Sequence, residues 1–496
     1  MRVPARIAAF WGLGAFATTT MLNGVSIVLL YFLVTFVKLE PVVAGGLLFA
    51  SKVFDGLIDP PIGLLSDRTE SRLGRRRPWM LGASFFCGLS FALLFNVPAT
   101  ATQNGVYLFL GGWLFVYTVA YAVFTVPYMA MPGEMTDDYH ERSRLMSWRT
   151  VFMTFGNLMG AAVPPVLVSA LGGDRPAYGQ MGLLIGAVIF GAMVLTVIGT
   201  AGARQRPRDP APLSLLDNFR LLRRNTPLLV LMGTKILLYA GLAAFTAVLL
   251  FFFSSVLKKS SAAVGAYFGV FSLATVLFTP VQLWVGRHFE KRRAYLVCMG
   301  AYSLGMLSWL LATPAEPDLV LYARGLWLGA FNAGLFLFGY SMLVDTYAWD
   351  HQVTGLRREG FLAAAISFVE KFSLAIGPLA IGALLSGMGF DKSLAPDADQ
   401  SAGARQAMVI GFVWIPVATQ LLAMALLYGY RLEPGDLVTG SRRPTDGPGE
   451  GIPPTAVAST LTVIDRGPSI DGGLSRGVFH EQANSDGWRC GAERRL

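Results

Sequence analysis

The stretch SKVFDGLIDPPIGLLSD, residues 51–67, ends an apolar run that is long enough to cross a membrane. It carries Lys52, Asp55 and Asp59 at intervals of three and four residues, so on a helix all three side chains share one face. A charged side chain at the centre of a bilayer costs about 2.5–3.5 kcal/mol. We therefore expect this face to lie in a protein interior or a water-filled cavity.

The rest of the chain has the composition of a helical membrane protein. Of its 496 residues, 54% are hydrophobic and 14% are charged, whereas soluble domains carry about 25% charged residues. Recurrent apolar runs predict an all-α membrane protein with twelve transmembrane helices. The predicted spans are 8–37, 42–66, 78–97, 105–132, 145–170, 179–202, 227–256, 262–286, 293–312, 318–345, 360–387 and 406–431.

The charge of the loops predicts the orientation. Loops after the even-numbered spans carry most of the loop Lys and Arg residues, which places them and both termini in the cytoplasm. The same asymmetry accounts for the net charge of +9 without a nucleic-acid partner. Weak similarity between the two sets of spans predicts six-helix halves at 1–202 and 227–432 around a central cavity. A cytoplasmic linker, 203–226, would join them, and the Gly- and Pro-rich segment 433–496 would be a disordered cytoplasmic tail.

The two acids of the opening stretch suit a cation site. With both ionised, the face of Lys52, Asp55 and Asp59 has a net charge of −1, which one H⁺ or one Na⁺ would neutralise. A structural ion pair between Lys52 and one Asp is the alternative, but it leaves the second acid unpaired. No other cofactor and no metal site is predicted, because the three Cys and four His residues share no ligand spacing.

Residues 55–79 read D-x-x-x-D-P-x-x-G-x-x-x-D-R-T-x-S-R-x-G-R-R-R-P-W. This pattern resembles the signature of the glycoside–pentoside–hexuronide:cation symporters, which include the melibiose permeases and belong to the major facilitator superfamily. Supporting matches are V-P-Y at 126–128, E-R-S-R-L-x-x-W-R at 141–149, D-T-x-x-x-D-x-x-x-T-G-x-R-R-E-G at 345–360 and S-F-x-x-K at 367–371. The resemblance implies the major facilitator fold, and a monomer in the cell inner membrane that imports a glycoside-like solute with H⁺ or Na⁺ by alternating access.

The resemblance also implies roles for individual residues. It assigns the cation site to Asp55 and Asp59, and a coupling network to Lys52, Arg149, Lys371 and Glu370. The substrate cavity would include Thr18, Thr19, Thr125, Arg149 and Lys371. The cytoplasmic gate would include Asp67, Arg68, Arg75, Glu134, Asp345 and Arg357, although their pairing stays open.

Departures from the family pattern bear on the solute. Thr18 and Thr19 follow the G-A-F motif where melibiose permeases carry a Lys–Asp pair, and Thr125 stands where they carry an Asp. Both carboxylates that would bind galactosyl hydroxyls are therefore missing. Ile58 replaces an amide that sodium-using relatives carry, which weakens the case for Na⁺.

The remaining basic residues make the predicted cavity more positive. Arg149 and Lys371 would suit a hexuronide, another anionic solute or an amphiphile with an anionic head. Alternatively, these cations would only offset Asp55, Asp59 and Glu370 in a closed network. Lys235 in the seventh span would either line the cavity or extend to the membrane interface.

Two other functions are weighed against solute–cation symport. A lipid or lysolipid transporter on the same fold would suit the loss of the sugar-binding acids and the Phe-rich stretch LLFFFSS at 249–255. A membrane-embedded enzyme would need a nucleophile–base or metal constellation. No H-E-x-x-H, P-loop or G-x-S-x-G motif occurs, so no enzymatic activity is predicted.

Overall fold

The computed structural model describes residues 3–99, 102–136, 138–203, 220–223, 225–355, 359–395, 398–430 and 432. In this part of the chain twelve helices are long and apolar enough to cross a membrane, which confirms the predicted twelve-helix architecture. Numbered α1–α12, they are Ala5–Thr35, Pro41–Asp67, Arg77–Leu94, Gln103–Met135, Arg144–Ala170, Arg175–Gly199, Thr226–Val256, Ser261–His288, Lys291–Leu311, Asp318–Thr354, Phe361–Gly387 and Ala402–Leu427. Most of the predicted linker and the whole predicted tail lie outside the described residues.

The helices pack in one pattern that occurs twice. In the first six, α1 packs against α5 and α6, α3 against α4 and α6, and α2 against α4. The equivalent pairs occur in the last six: α7 with α11 and α12, α9 with α10 and α12, and α8 with α10. We call these sets the N half and the C half. They meet mainly where α2 packs on α11 and α5 packs on α8, two contacts that the repeat relates to each other.

Local irregularities repeat as well. A π-helical turn interrupts α1 at Val25–Leu29 and α12 at Ile410–Trp414, and another forms the last turn of α7 at Phe252–Val256. Shortly after α1 and α7, Lys38 and Lys258 adopt the left-handed backbone conformation, with φ of 63° and 53°. Such turns and backbone angles are local departures from helical geometry that hydropathy does not report.

Reciprocal glycine contacts bring α2 and α11 together near the α1–α2 loop. Gly45 on α2 faces the carbonyl oxygen of Pro378, and Gly382 on α11 faces the carbonyl oxygen of Pro41. A Cβ atom at either glycine would overlap the facing carbonyl, so a larger residue would force the helices apart. The two halves are therefore in backbone contact at this end of the bundle, which we call the α1–α2 loop end.

The loop between α11 and α12 adds polar contacts at the α1–α2 loop end. Lys38 of the N half donates from Nζ to the carbonyl oxygen of Leu394, at 2.8 Å. Lys392 of the same loop forms an ion pair with Glu40 of the N half, with Nζ and Oε1 2.5 Å apart. This loop of the C half is thus attached to the N half at two points, Leu394 and Lys392.

Two exposed acids of the α11–α12 loop are held in their charged form. Ser393 donates from Oγ (2.6 Å) and from its backbone N (2.8 Å) to Asp391 Oδ1, and these bonds lower the pKa of Asp391. Lys258, 3.0 Å away, likewise lowers the pKa of Asp399 through its hydrogen bond and its charge. Both carboxylates therefore stay ionised under mildly acidic conditions.

Helix α10 continues to Thr354, beyond the end predicted at residue 345. Its last turns contain acids, which lower the local hydropathy, but these acids have partners. Asp345 accepts from Lys291 at 2.7 Å, and Asp350 accepts from Asn225 at 3.1 Å. Gly355, with φ of 68°, then ends the helix in a left-handed cap.

Candidate functional site

Lys371 on α11 binds both acids of the α2 face. Its Nζ lies 2.5 Å from Asp59 Oδ2 and 3.1 Å from Asp55 Oδ2. Asp55 is only 3% exposed, so this contact lies in the interior of the bundle. The close crossing of α2 and α11 brings Lys371 to two acids that are more than 300 positions away in the chain.

Each of these carboxylates keeps one oxygen without a hydrogen bond. Asp55 Oδ1 and Asp59 Oδ1 are buried and have no partner in the structure. A buried, unpaired carboxylate oxygen is energetically costly, so it is a favourable place to bind a proton or a cation. The pair can take up a positive charge in competition with Lys371. Among the described residues, no group of three or more His, Cys, Asp or Glu side chains could hold a metal ion.

Lys52 does not pair with either acid. Its Nζ lies 5.9 Å from the centroid of the Tyr121 ring, and Lys371 Nζ lies 6.0 Å from the same centroid. The alternative of a structural pair between Lys52 and one Asp is therefore not formed in this structure. The basic partner comes from the opposite half instead.

Arg149 on α5 belongs to the same region. The phenol of Tyr121 lies within electrostatic range of Arg149 and of both acids. Arg149 Nε is buried without a hydrogen-bond partner, and none of the ion pairs in the described part of the chain involves this residue. Three cations and two anions give this group a net charge of +1. We call it the central cluster: Lys52, Asp55, Asp59, Arg149 and Lys371.

Glu370 lies apart from the central cluster. Its Oε1 accepts from Lys235 Nζ of α7 at 2.7 Å, and Tyr340 OH is 3.5 Å from the same oxygen. Lys235, 5% exposed, lines an internal cleft and does not extend to the membrane interface. The alternative of a closed network, in which Arg149 and Lys371 offset all three acids, is thus not formed in this structure, because Glu370 pairs with Lys235.

Two of the three predicted cavity threonines use their hydroxyl groups within their own helices. Thr18 Oγ1 donates to the carbonyl oxygen of Gly14 (3.0 Å), and Thr125 Oγ1 donates to that of Tyr121 (2.8 Å). Thr18 is buried, and Thr19, which is partly buried, packs against Gly156 through its Cβ. Thr18 and Thr125 therefore bring neither charge nor a free donor to the central cluster.

The predicted gate residues of the N half lie at the opposite end, near the α2–α3 loop, and pair with one another. Arg75 Nη2 and Arg76 Nε lie 3.2 and 3.0 Å from Glu134 Oε1. Arg76 also forms an ion pair with Asp67. Arg76 was not among the predicted gate residues, although the basic run 75–77 contains it. These contacts connect α2, α3 and α4 within one half.

The gate residues of the C half show the same arrangement. Asp345 of α10 pairs with Lys291 at the start of α9, at 2.7 Å. The other predicted gate residue of the C half, Arg357, lies outside the described residues. In the N half, Arg68 is exposed in the α2–α3 loop. In both halves, therefore, acids at this end are held by bases of their own half.

A cleft lies inside the C half, where the sequence predicted at most that Lys235 would line a cavity. It lies between α7, α9, α10 and α12. Its volume is about 670 Å³ when the part that is open to solvent is counted. Its lining includes Lys235, Tyr239, Asn332, Phe336, Tyr340 and Gln420. The sequence offered only scattered aromatic residues, which are as common in helix packing as in binding sites.

Known proteins match this chain along most of its length. Residues 10–434 match the model of the MFS/sugar transport protein family. The putative glycoside/cation symporter YagG of Escherichia coli (strain K12) is 26% identical, over 91% of this chain and 97% of its own. The putative sulfoquinovose importer of Salmonella typhimurium is 26% identical, over 87% and 91%. The crystal structure of a D-xylose-proton symporter aligns with a TM-score of 0.61 at 14% identity, over 86% and 96%.

These matches confirm the family predicted from residues 55–79 and the major facilitator fold. They also confirm that the chain is a transporter rather than an enzyme. It is a multi-pass protein of the cell inner membrane, and it carries a small, sugar-like solute by symport. The chain belongs to the MFS/sugar transport protein family.

Proposed function

We propose that this chain imports anionic glycosides, hexuronides in particular, together with a proton. The observation that carries the proposal is the net charge of +1 in the central cluster, in which Arg149 forms no ion pair with an acid among the described residues. A guanidinium binds a carboxylate or sulfonate group through two parallel hydrogen bonds. The similarity to a putative sulfoquinovose importer supports an anionic sugar.

Lys371 provides the coupling in this proposal. In the structure it forms ion pairs with both Asp55 and Asp59. Binding of one H⁺ to this pair removes one of the two negative charges that hold the ammonium, so Lys371 is held less strongly and becomes available to the anionic group of the solute. Proton and solute then favour each other's binding, and linkage makes the effect reciprocal.

A proton suits the acid pair better than Na⁺. Hard metal cations require several oxygen ligands, whereas a proton requires one. Ile58, which precedes Asp59, supplies no oxygen ligand.

The structure corresponds to an inward-facing state in this proposal. The halves are in backbone contact at the α1–α2 loop end, where the α11–α12 loop is fastened across them. The distribution of Lys and Arg assigns that end to the outside. At the opposite end the ion pairs of Glu134 and Asp345 lie within single halves, so these acids would exchange partners when the cytoplasmic side closes.

Transport into proteoliposomes tests the proposal. Radiolabelled methyl β-D-glucuronide and methyl β-D-glucoside would be offered to the reconstituted protein under an inward pH gradient, an inward Na⁺ gradient or no gradient. We expect accumulation of the glucuronide under the pH gradient alone. Equal accumulation of the glucoside would exclude the anionic specificity, and accumulation driven only by Na⁺ would exclude the proton.

A further inference from the structure

The wall of the C-half cleft includes Lys235, which is buried and forms an ion pair with Glu370 that the proposed coupling does not use. Lys235 Nζ lies 2.7 Å from Glu370 Oε1, 4.1 Å from the centroid of the Tyr340 ring and 5.4 Å from that of Tyr239. An ion pair inside a membrane protein is costly unless it has a function or many partners. Its position in the wall of an open cleft points to contact with a ligand.

Beside the ion pair, α10 presents two parallel aromatic rings. Phe336 and Tyr340 are one helical turn apart, with ring centroids 6.4 Å apart and planes inclined by only 10°. Both line the cleft, and they are 45% and 44% exposed. Their exposed faces provide an aromatic surface on which the C–H face of a sugar ring can stack.

The polar groups of the cleft are complementary to hydroxyl groups. Glu370 Oε2 has no partner among the described residues and can accept a hydrogen bond. Asn332 donates only a weak bond, to Thr275 Oγ1 at 3.5 Å, so its side-chain oxygen stays available. Because Lys235 and Glu370 cancel each other, the cleft offers donors and acceptors without a net charge.

This chemistry discriminates between classes of ligand. A hydrocarbon chain or a purely aromatic aglycone would bury Glu370 and Asn332 without hydrogen-bond partners, which is costly. An anionic ring in the cleft would be repelled by the nearby Glu370 carboxylate. A neutral ring with several hydroxyl groups satisfies both the aromatic surface and the polar groups.

The cleft and the central cluster adjoin through α11. Glu370 and Lys371 are consecutive, so on a helix their side chains point about 100° apart: Glu370 contacts Lys235 and Tyr340 of the cleft lining, and Lys371 contacts the acids of the central cluster. We propose that the C-half cleft is a second solute subsite, which binds a neutral sugar ring linked to the anionic ring held by the central cluster. This inference rests on the proposed function and narrows its substrate class to acidic disaccharides.

Calorimetric titration of the purified full chain tests the subsite with three ligands: D-glucuronate, a glucuronosyl-xylose disaccharide and 4-nitrophenyl β-D-glucuronide. We expect the disaccharide to bind about tenfold more tightly than glucuronate. Tyr340→Ala and Asn332→Ala should abolish this advantage and leave glucuronate binding unchanged. Tyr340→Phe, which keeps the ring, should retain most of it. Tyr322→Ala, on the same helix but outside the cleft lining, is the matched control.

The outcomes separate the two proposals. If wild type binds glucuronate but binds the disaccharide no more tightly, the subsite is refuted and the proposed function stands. The same holds if Tyr340→Ala weakens both ligands equally. If the nitrophenyl glucuronide shows the full advantage through Tyr340 and Asn332, the preference for a neutral sugar ring is refuted. If wild type binds none of the three, the proposed function fails and the subsite with it.

Discussion

Lys371 of the C half lies 2.5 Å from Asp59 of the N half, and this ion pair joins the two halves in the interior of the bundle. The residue before it, Glu370, binds Lys235 within the C half at 2.7 Å. Helix α11 therefore carries one charge directed across the interface and another directed into its own half. Any change from inward to outward access has to preserve or replace the first of these contacts.

Removing the charge of Asp59 should uncouple transport. Asp59→Asn preserves the size of the side chain but leaves one acid for Lys371, so a proton is no longer needed to release that base. We expect gradient-driven accumulation of methyl β-D-glucuronide to be lost, while exchange of internal for external glucuronide continues. Both are measured in the same proteoliposomes. Asp391→Asn, in the exposed α11–α12 loop, is the control, and full accumulation by Asp59→Asn would contradict the assignment.

Substitutions of Arg149 and of Lys371 should differ in their effects on the pH dependence of glucuronide binding. Arg149 has no acidic partner, so Arg149→Ala should weaken glucuronide binding about tenfold or more and leave the pH dependence of binding unchanged. Lys371→Ala removes the counter-charge of both acids and should shift that pH dependence as well. Arg149→Lys should recover only part of the affinity, because an ammonium lacks the planar fork. A pH shift in Arg149→Ala matching that of Lys371→Ala would contradict these separate roles.

The sequence was sufficient to predict the helices and the shared face of the three charged residues of α2, because both depend on local spacing. Apolar run length determines a span, and intervals of three and four residues place Lys52, Asp55 and Asp59 on one face. The structure places these acids together in the interior, as that spacing implies. The end of α10 was missed because acids with tertiary partners lower hydropathy without ending the helix.

Partners between distant helices could not be predicted in this way. The sequence pattern grouped Glu370 with Lys371, whereas the tertiary fold gives Glu370 to Lys235. The lack of an acidic partner for Arg149 among the described residues depends on how α5 is oriented, and the alignment of the Phe336 and Tyr340 rings depends on how α10 is oriented. Hydropathy specifies neither orientation. Charge pairing inside the bundle is a property of the packed halves.

The α11–α12 loop should stay in its closed position at mildly acidic pH. The proposed import with protons requires this, because the loop would face an acidic exterior. Because Lys258 lowers the pKa of Asp399, the contribution of their ion pair is complete above the ordinary carboxyl pKa of about 3.9 and is lost only as the pH falls through the lowered value. Amide-exchange protection of residues 388–395, corrected for intrinsic rates, should therefore be constant from about pH 7 to pH 5 and decrease below about pH 4. Asp399→Asn should reduce protection at neutral pH and flatten this dependence. A loss of protection near pH 6 would contradict the prediction.

The glycine contacts between α2 and α11 should control which side of the bundle is open. In Gly382→Ala the new methyl group would overlap the carbonyl oxygen of Pro41, so the backbones must separate at the α1–α2 loop end. Because the same helices carry Asp59 and Lys371, separation there favours the opposite, outward-open arrangement. We expect a cysteine introduced at Ser386, beside the crossing, to react several-fold faster with a membrane-impermeant maleimide in Gly382→Ala, after Cys87, Cys298 and Cys490 are replaced. Gly46→Ala is the matched control, since a Cβ at Gly46 meets nothing within 4 Å. Equal labelling rates in Gly382→Ala and Gly46→Ala would show that the crossing does not hold this end closed.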